Sequence, residues 1–489
     1  MSKVSLARHM GLLGLASTGI CSMLGASIYV VPFMIQRNVP GIGPYVLPAF
    51  LIAAVPAILA ALAYSILASA MPRAGGSYIY ASRGLNPFLG FVASFSQWFG
   101  LSIVIGVIAY VIIPFFRDIA QQMGMTGLAE VLDYGSVRVM LALSVLWIFV
   151  VVNILGVKVY ERTLVPLMVL MFALGAIVIV AGFSFDHQDF KNAIASAKEI
   201  SDRTVDFNVI TLFSAAAILF SSFIGFDSIA QAGGEARNPS SSLPKAIGIA
   251  VLTVGSFYFL FTSAVYHAIP WQFIASEAMS RDITAAGMLS YLLPSGWAIV
   301  IVLGAAIALL NDLPAMILSV SRLMFAWAED GIFPKPLARV SATRHTPVVA
   351  IVASGVMASV GILGSHFAGD FFLGVDIMVT SMLVNFLLMC ITVVALPKHN
   401  PDLYREIRVV SSRKVQLALS WTGIFILSAF LCIHIWKDLS SDVQEWYFHS
   451  TPVWLIVMTI ATLIYTRERA ILNRTGINTH EFFKKLPPE

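Results

Sequence analysis

Long apolar segments alternate with short polar ones along almost all of the 489 residues. Runs of roughly 20 apolar residues are long enough to cross the hydrocarbon core of a bilayer as helices. The pattern predicts twelve such spans, with approximate bounds 11–34, 45–69, 88–116, 139–156, 162–182, 210–232, 245–268, 296–327, 347–366, 371–396, 416–436 and 449–466. The intervals between them are shorter than about 30 residues. We therefore expect an all-α integral membrane protein without a separate soluble domain.

Two of the spans contain a break in the helical pattern. The first span carries three small residues, Gly25, Ala26 and Ser27, at mid-membrane depth, and the sixth span carries a glycine and a carboxylate within 220–227. Backbone freed from helical hydrogen bonds at this depth is tolerated only where it is buried in protein or lines a cavity. The two breaks therefore predict a binding site inside the membrane.

The spacing of the breaks predicts an internal repeat. They lie five spans apart, and an odd number of spans inverts the second copy relative to the first. Residues 11–182 and 210–396 then form two five-helix repeats, joined by an extracellular loop at 183–209. A cytoplasmic loop at 397–415 leads to two extra helices in 416–466, and residues 1–10 and 467–489 form the tails.

Composition and charge agree with a membrane protein and indicate its orientation. The chain is 58% hydrophobic and 11% charged, whereas soluble domains carry about 25% charged residues. Of the 30 Lys and Arg residues, 21 fall in segments on the N-terminal side of the membrane, 8 on the other side, and Arg322 within the eighth span. The positive-inside rule then places both termini in the cytoplasm and the protein in the cytoplasmic membrane. The net charge of +4 reflects this topology and forms no patch for nucleic acid.

The ends of the broken helices predict the chemistry of the ligand. After the first break, unpaired amides and the positive end of the helix dipole favour a carboxylate. Before the sixth-span break, unpaired carbonyls near Phe220 to Phe223 favour an ammonium group. An α-amino acid carries both charges on one carbon, so the backbone alone is expected to hold it.

Three motifs carry a resemblance to a known family. They are Pro72-Arg73-Ala74-Gly75-Gly76-Ser77-Tyr78, then Gly225-Phe226-Asp227 followed by Glu235, Asn238-Pro239 and Leu243-Pro244, and finally Ser321-Arg322-Leu323-Met324-Phe325-Ala326 with Asp330-Gly331. In these motifs, over roughly residues 11–400, the chain resembles the amino acid–polyamine–organocation (APC) superfamily. The resemblance implies a LeuT-like fold of two inverted five-helix repeats with helices 1 and 6 broken, working by alternating access.

The resemblance also implies which residues contact the substrate. They are Met23, Gly25, Ala26 and Ser27 in the first span and Phe220, Ser221, Ser222 and Ile224 in the sixth. The chain departs from the family at Ser27, where a second glycine is usual, and at Ser221, where many members have an aromatic residue. Ser27 is expected to leave its backbone amide available but to narrow the space above it, whereas Ser221 is expected to leave the pocket more open, or gated by Phe220. No prosthetic cofactor and no bound metal are expected, and the partners are an amino acid and the lipid bilayer. Any protein partner stays undetermined.

The coupling ion stays open at this stage. Some family members have a lysine in the fifth span where this chain has Met171, which cannot change charge. Asp227 is interpreted as a structural or gating residue, with a proton or cation site as the alternative. Hydroxyls of the eighth span, Ser319 and Ser321, are candidates for a sodium site. Sodium coupling, proton coupling by another route and coupling-free exchange are therefore all retained.

The function predicted is secondary-active transport of an α-amino acid, as a permease or an exchanger. A polyamine or organic-cation transporter anchored on Asp227 is the alternative. An enzyme is disfavoured because the chain has no metal-ligand cluster and no nucleophile motif. A channel is disfavoured because it requires a filter loop or a ring of like charges. The particular amino acid and the direction of transport stay open.

Overall fold

The computed structural model describes residues 5–25, 27–194, 205–280, 283–368, 371–441, 446–474 and 479–487. Within them the chain is almost entirely helical, and pairing of extended backbone is limited to two isolated bridges, Met10 with Ala236 and Ala74 with Ala232. The α-helices are α1 (Leu12–Met23), α2 (Ser27–Asn38), α3 (Val46–Ala70), α4 (Gly76–Gly84), α5 (Pro87–Gln122), α6 (Thr126–Asp133), α7 (Gly135–Leu155), α8 (Val157–Ser184), α9 (His187–Ile194), α10 (Val209–Leu219), α11 (Asp227–Gln231), α12 (Pro239–Ala268), α13 (Trp271–Ser280), α14 (Ala285–Leu289), α15 (Ser295–Glu329), α16 (Val348–Ala368), α17 (Phe371–His399), α18 (Pro401–Arg405), α19 (Arg413–Leu439), α20 (Ser450–Arg474) and α21 (Thr479–Phe482). The all-α class is confirmed.

Eleven stretches among the described residues are long and apolar enough to cross a membrane. They correspond to the first eleven predicted spans, with α1 and α2 forming the first and α10 and α11 the sixth. The twelfth predicted run lies in α20, which is less apolar and is not among the eleven. The total of twelve crossings therefore stays a prediction.

The segments between alternate spans meet at one end of the helix bundle. The Met10 amide donates to the Glu235 carbonyl at 2.9 Å, and the Thr346 hydroxyl donates to the Ile154 carbonyl at 3.1 Å. Asn400, which follows α17, donates to the Lys484 carbonyl at 2.9 Å. The C-terminal segment thus returns to the end of the bundle that carries the N-terminus. The predicted topology places all of these segments on the same side of the membrane.

Both predicted helix breaks are present. The first separates α1, which ends at Met23, from α2, which begins at Ser27. The sixth span passes from α10 into a single 3₁₀ turn, Phe220–Phe223, and resumes as α11 at Asp227. Gly225 between them has φ of 135°, a conformation that L side chains rarely adopt. The inverted symmetry of the two repeats stays a prediction.

The breaks lie in the centre of the bundle. In α5 and α15, 78% of the most apolar window is buried, whereas the corresponding share in α7 and α19 is 28%. The peripheral helices expose large apolar side chains such as Phe425 and Leu252. A water-soluble protein rarely exposes so much contiguous apolar surface. Lipid is the solvent that suits this exterior, and α5 and α15 form the walls around the breaks.

Candidate functional site

The two breaks contact each other directly. A Cβ atom built on Gly225 would overlap the carbonyl of Ser22 near the end of α1, so only glycine permits this approach. The Ser22 and Ser228 hydroxyls are hydrogen-bonded at 3.0 Å, which joins the first span to the sixth a second time. The Tyr258 hydroxyl of α12 donates to the Met23 carbonyl at 3.1 Å and fixes the last turn of α1.

A small cavity of about 50 Å³ lies beside this contact. Its lining residues are Ser22, Met23, Val31, Val104, Ile108, Ser221, Ile224, Asp312, Met316, Val375 and Met378. Eight of these eleven are apolar. Such a lining, with a few polar groups placed in it, has the composition of a small-molecule pocket, although the volume is smaller than the roughly 300 Å³ or more of an open ligand site.

The backbone leaves regular helical hydrogen bonding at both breaks. The amides of the first turn of α2, which begins at Ser27, have no acceptor within their own helix. In the sixth span the Ile224 amide donates to the Ser221 carbonyl at 3.2 Å, and the Gly225 amide donates to Asp227 Oδ1 at 3.1 Å. The first break therefore has amides without helical acceptors at the start of α2, whereas in the sixth span the Ser221 carbonyl and the Gly225 amide are already hydrogen-bonded. That the sixth-span turn offers carbonyl acceptors to a ligand stays a prediction.

The predicted substrate residues fall into two groups. Met23, Ser221 and Ile224 line the cavity, and Gly25 borders it through contact with Asp312. Ser222 and Phe220 are fully buried but are not among the cavity-lining residues. The Phe220 ring instead packs against the rings of Phe386 and Phe430, each with a centroid 6.1 Å away. Ala26 lies outside the described residues, and Ser27 is placed only as the first residue of α2.

Asp227 is part of a buried hydrogen-bond network centred on Gln97. The Gln97 amide nitrogen donates to Asp227 Oδ2, and its Oε1 accepts from the Ser77 hydroxyl. The same Oε1 lies 3.2 Å from Nε2 of Gln231 and 3.4 Å from Nδ2 of Asn385. The network joins α4, α5, α11 and α17. These contacts support the structural interpretation of Asp227.

The two eighth-span hydroxyls differ in their environment. The Ser321 hydroxyl donates to the Leu318 carbonyl and accepts from Arg322 Nη1, both at 2.9 Å. The Ser319 hydroxyl is fully buried and has no hydrogen-bond partner within the described part of the chain. Among the described residues, Ser319 therefore has no hydrogen-bond partner for its hydroxyl, whereas Ser321 is already engaged, and a cation site at either residue stays a prediction.

Two buried ion pairs join the third sequence motif to the second motif and to the end of α4, the helix in which the first motif ends. Arg322 Nη2 lies 2.5 Å from Glu235 Oε1, with both side chains almost fully buried. Arg83 Nη2 donates to Asp330 Oδ1 at 2.8 Å, again in a buried position. The Gly75 amide also donates to the Gln231 carbonyl at 3.2 Å. Together these contacts close the end of the bundle that carries the N-terminus.

Asp312 is the residue of the site whose position the sequence did not predict. It lies on α15, is 3% exposed and lines the cavity. A Cβ atom built on Gly25 would overlap Asp312 Oδ2. Its neighbour Asn311 donates to Cys21 Sγ at 2.9 Å, which holds this part of α15 against α1. The only local signal was an Asn-Asp pair ahead of Pro314 in an apolar span.

Comparison with known proteins identifies a family over almost the whole chain. Residues 10–465 match the family model described as amino acid permease. The branched-chain amino acid permease BcaP of Bacillus subtilis is 26% identical over 486 residues, which cover 96% of this chain and 95% of that protein. The methylthioribose transporter of Bacillus subtilis is 23% identical over 476 residues, covering 96% of each chain. The vacuolar cationic amino acid transporter 2 of Arabidopsis thaliana is 28% identical over 366 residues, which cover 72% of this chain but only 55% of that protein.

Proposed function

The chain belongs to the amino acid permease family, and on that premise we propose that it carries α-amino acids with apolar side chains by alternating access. The observation that carries the proposal is the contact of two broken helices beside a mostly apolar cavity. Membership of this family also means that the chain is a membrane transporter and not an enzyme.

The head group of the substrate is proposed to bind to backbone. Amides in the first turn of α2 take the carboxylate, because they lack helical acceptors and lie at the positive end of the helix dipole. Carbonyls of the turn Phe220–Phe223 take the ammonium group. Both charges must be present on adjacent atoms for one ligand to reach both breaks.

The side chain of the substrate is proposed to lie among the apolar lining residues. Met23, Ile224, Met316 and Met378 offer polarizable or branched surfaces and no hydrogen-bond donors. An aliphatic side chain such as that of leucine loses no hydrogen bonds in this environment, whereas a polar side chain does. The relative that is named a branched-chain amino acid permease supports this class of substrate.

A cationic substrate is the second candidate. Asp312 is the single charged residue among those that line the cavity, and its carboxylate is suited to an ammonium or guanidinium group on the substrate side chain. A relative named as a cationic amino acid transporter supports this alternative. A polyamine would use the carboxylate of Asp312 and not that of Asp227, which bonds Gln97 and is not among the cavity-lining residues. It could not use the amides of α2.

The cycle is proposed to expose the cavity to each side of the cytoplasmic membrane in turn, with both termini in the cytoplasm. The ion pairs Arg322–Glu235 and Arg83–Asp330 close the N-terminal end of the bundle, so opening toward the cytoplasm requires this region to rearrange. Exchange of one amino acid for another, and net uptake, both follow from this scheme.

Counterflow into proteoliposomes tests the proposal. Purified protein is reconstituted into vesicles loaded with an unlabelled amino acid, and entry of labelled leucine, isoleucine, methionine, arginine, glutamate or putrescine is followed. We expect saturable entry of the aliphatic amino acids that is stimulated by internal substrate. Entry of arginine or putrescine without leucine would favour the second candidate. Entry that neither saturates nor responds to internal substrate would contradict a transporter and indicate a channel.

A further inference from the structure

The carboxylate of Asp312 lies against the first helix break. A Cβ atom on Gly25 would overlap Asp312 Oδ2, so the carboxylate contacts the backbone of the break itself. Asp312 also lines the cavity and is 3% exposed. If the proposed function is correct, the substrate's carboxylate and the carboxylate of Asp312 approach the same short stretch of backbone.

Asp312 has no cationic partner in the part of the chain that the structure describes. Its Oδ1 atom is buried and accepts no hydrogen bond from any described residue. Arginine residues on the neighbouring helices are engaged elsewhere: Arg322 with Glu235, Arg83 with Asp330, Arg117 with Asp118 and Asp133, and Arg138 with the Tyr110 carbonyl. The negative charge of Asp312 is therefore not balanced by a fixed positive charge.

Several titratable groups lie on the elements around α15, and one of them is Tyr29 of α2, whose hydroxyl lies against Gly304 of α15. Cys21 on α1 is held beside Asp312 through Asn311, and its thiol is fully buried. The helices packed against α15 also carry the following titratable or charged residues: Tyr78 and Tyr80 on α4, Tyr110 on α5, Lys158, Tyr160, Glu161 and Arg162 on α8, Asp227 on α11, and His366 on α16; Lys335 lies on the following turn. Tyr160 donates to Thr18, His366 bonds Tyr110, and Asp227 bonds Gln97, so these three are engaged with partners other than Asp312.

Two ionised carboxylates at one buried site repel each other strongly, and such pairs keep a proton on one member. We propose that Asp312 binds the proton that is transported with the substrate. Asp312 takes up a proton from the solution as the substrate's carboxylate enters the break, and it loses that proton to the solution on the other side after the substrate leaves. The O–H bond that forms on Asp312 and then breaks moves one proton per substrate, and no other reactant is needed. The inference rests on the proposed amino acid substrate.

Two other roles for Asp312 make different predictions. As a direct partner of an ammonium group it must be ionised, so binding would weaken at low pH. As a sodium ligand, with the unpartnered oxygens of Asn311 and Ser319 on the same helix, it would make transport depend on sodium. Gly25 lies between the last turn of α1 and the first turn of α2, so both carbonyls and amides of the backbone are close to the Asp312 carboxylate. The proton is favoured because a second carboxylate, that of the substrate, is proposed to enter the same break.

The experiment uses the full chain in proteoliposomes with labelled leucine and a pH-sensitive dye trapped inside. Wild type, Asp312→Asn and the exposed control Asp402→Asn, whose side chain is 91% exposed, are compared at a series of external pH values. For wild type and the control, we expect leucine to drive proton entry and the apparent affinity for leucine to fall about tenfold per pH unit on the alkaline side. For Asp312→Asn, we expect no leucine-driven proton movement and an affinity that does not vary with pH.

Every other outcome overturns either the inference or the proposed function. Net leucine uptake by wild type without proton movement, or leucine exchange without any net uptake, would overturn the inference and leave the proposed function intact. The inference would also be overturned by proton movement that persists in Asp312→Asn, by a wild-type dependence on sodium that this variant loses, or by binding that weakens at low pH. No counterflow of any amino acid by wild type would instead overturn the proposed function. If Asp312→Asn does not fold, the wild-type measurements of proton entry and of leucine affinity against pH still test the inference by themselves.

Discussion

Gly25 and Asp312 are in direct contact across the bundle, and the contact exists only because residue 25 has no side chain. A Cβ atom at this position would overlap the Asp312 carboxylate. The break in the first helix is thus shaped by the glycine that follows α1 and by an acid of α15.

Gly25→Ala adds only one methyl group, but it should disrupt the site strongly. The added methyl group must displace Asp312 or the break, and overpacking of a buried site costs about 1–3 kcal/mol. We expect a lower melting temperature of the purified protein and loss of leucine counterflow. Gly248→Ala is the matched control, because a Cβ there would meet no atom within 4 Å.

A second variant shows whether the contact with Asp312 is the cause. Gly25→Ala combined with Asp312→Ala should recover most of the lost thermal stability, because the overlapping atoms are gone. A single Gly25→Ala variant that melts and transports as Gly248→Ala does would exclude the contact.

Ser221→Phe should change the size of side chain that the cavity accepts. Ser221 lines the cavity, and a ring placed there takes space that a large substrate needs, at a cost of about 1–3 kcal/mol. This corresponds to roughly tenfold or more weaker competition by leucine or methionine, with little change for alanine. Ser144→Phe, at an exposed position of α7, controls for the added ring. An unchanged order of competition would remove Ser221 from the pocket.

Glu235→Gln should strongly destabilise the closed end of the bundle. It leaves the buried guanidinium of Arg322 without its counter-charge, and breaking a buried pair in this way costs about 3–5 kcal/mol. Asp402→Asn removes an exposed partner of Arg405 and should leave the melting temperature unchanged. Equal melting temperatures for the two variants would show that the buried pair adds no stability.

Met171→Ala should leave the pH dependence of leucine transport unaltered. Met171 is buried in α8 and cannot ionise, so any proton carried with the substrate must use another residue. Initial rates of uptake against pH, measured beside Asp312→Asn, distinguish the two positions. A shifted profile for Met171→Ala would show that the fifth span takes part in coupling.

The sequence predicted those features that depend on neighbouring residues. Apolar runs defined the spans, and the breaks were evident because glycine and small residues interrupt them locally, as the positive φ of Gly225 confirms. The direction of the Phe220 ring was harder to predict from the sequence. Its 3₁₀ turn directs the ring toward Phe386 and Phe430, and this rotation depends on backbone geometry that residue type alone does not specify.

Contacts between distant segments could not be predicted. Asp312 meets Gly25, and Gln97 bonds Asp227, only because four helices pack in one particular arrangement. A single sequence shows that these residues are polar and lie within the membrane, but not which of them are neighbours. The unpaired state of Ser319 likewise follows from packing.

Competition for labelled leucine by its two half-molecules tests most directly whether the paired breaks hold an amino acid head group. Leucine counterflow is measured in the presence of unlabelled leucine, its decarboxylated amine or its deaminated acid, each at the same concentration. We predict that leucine competes fully and that both half-molecules compete poorly, because each reaches only one of the two helix ends. If the amine alone competed as well as leucine, the amides of α2 would have no part in binding, and the clamp formed by the two breaks would be contradicted.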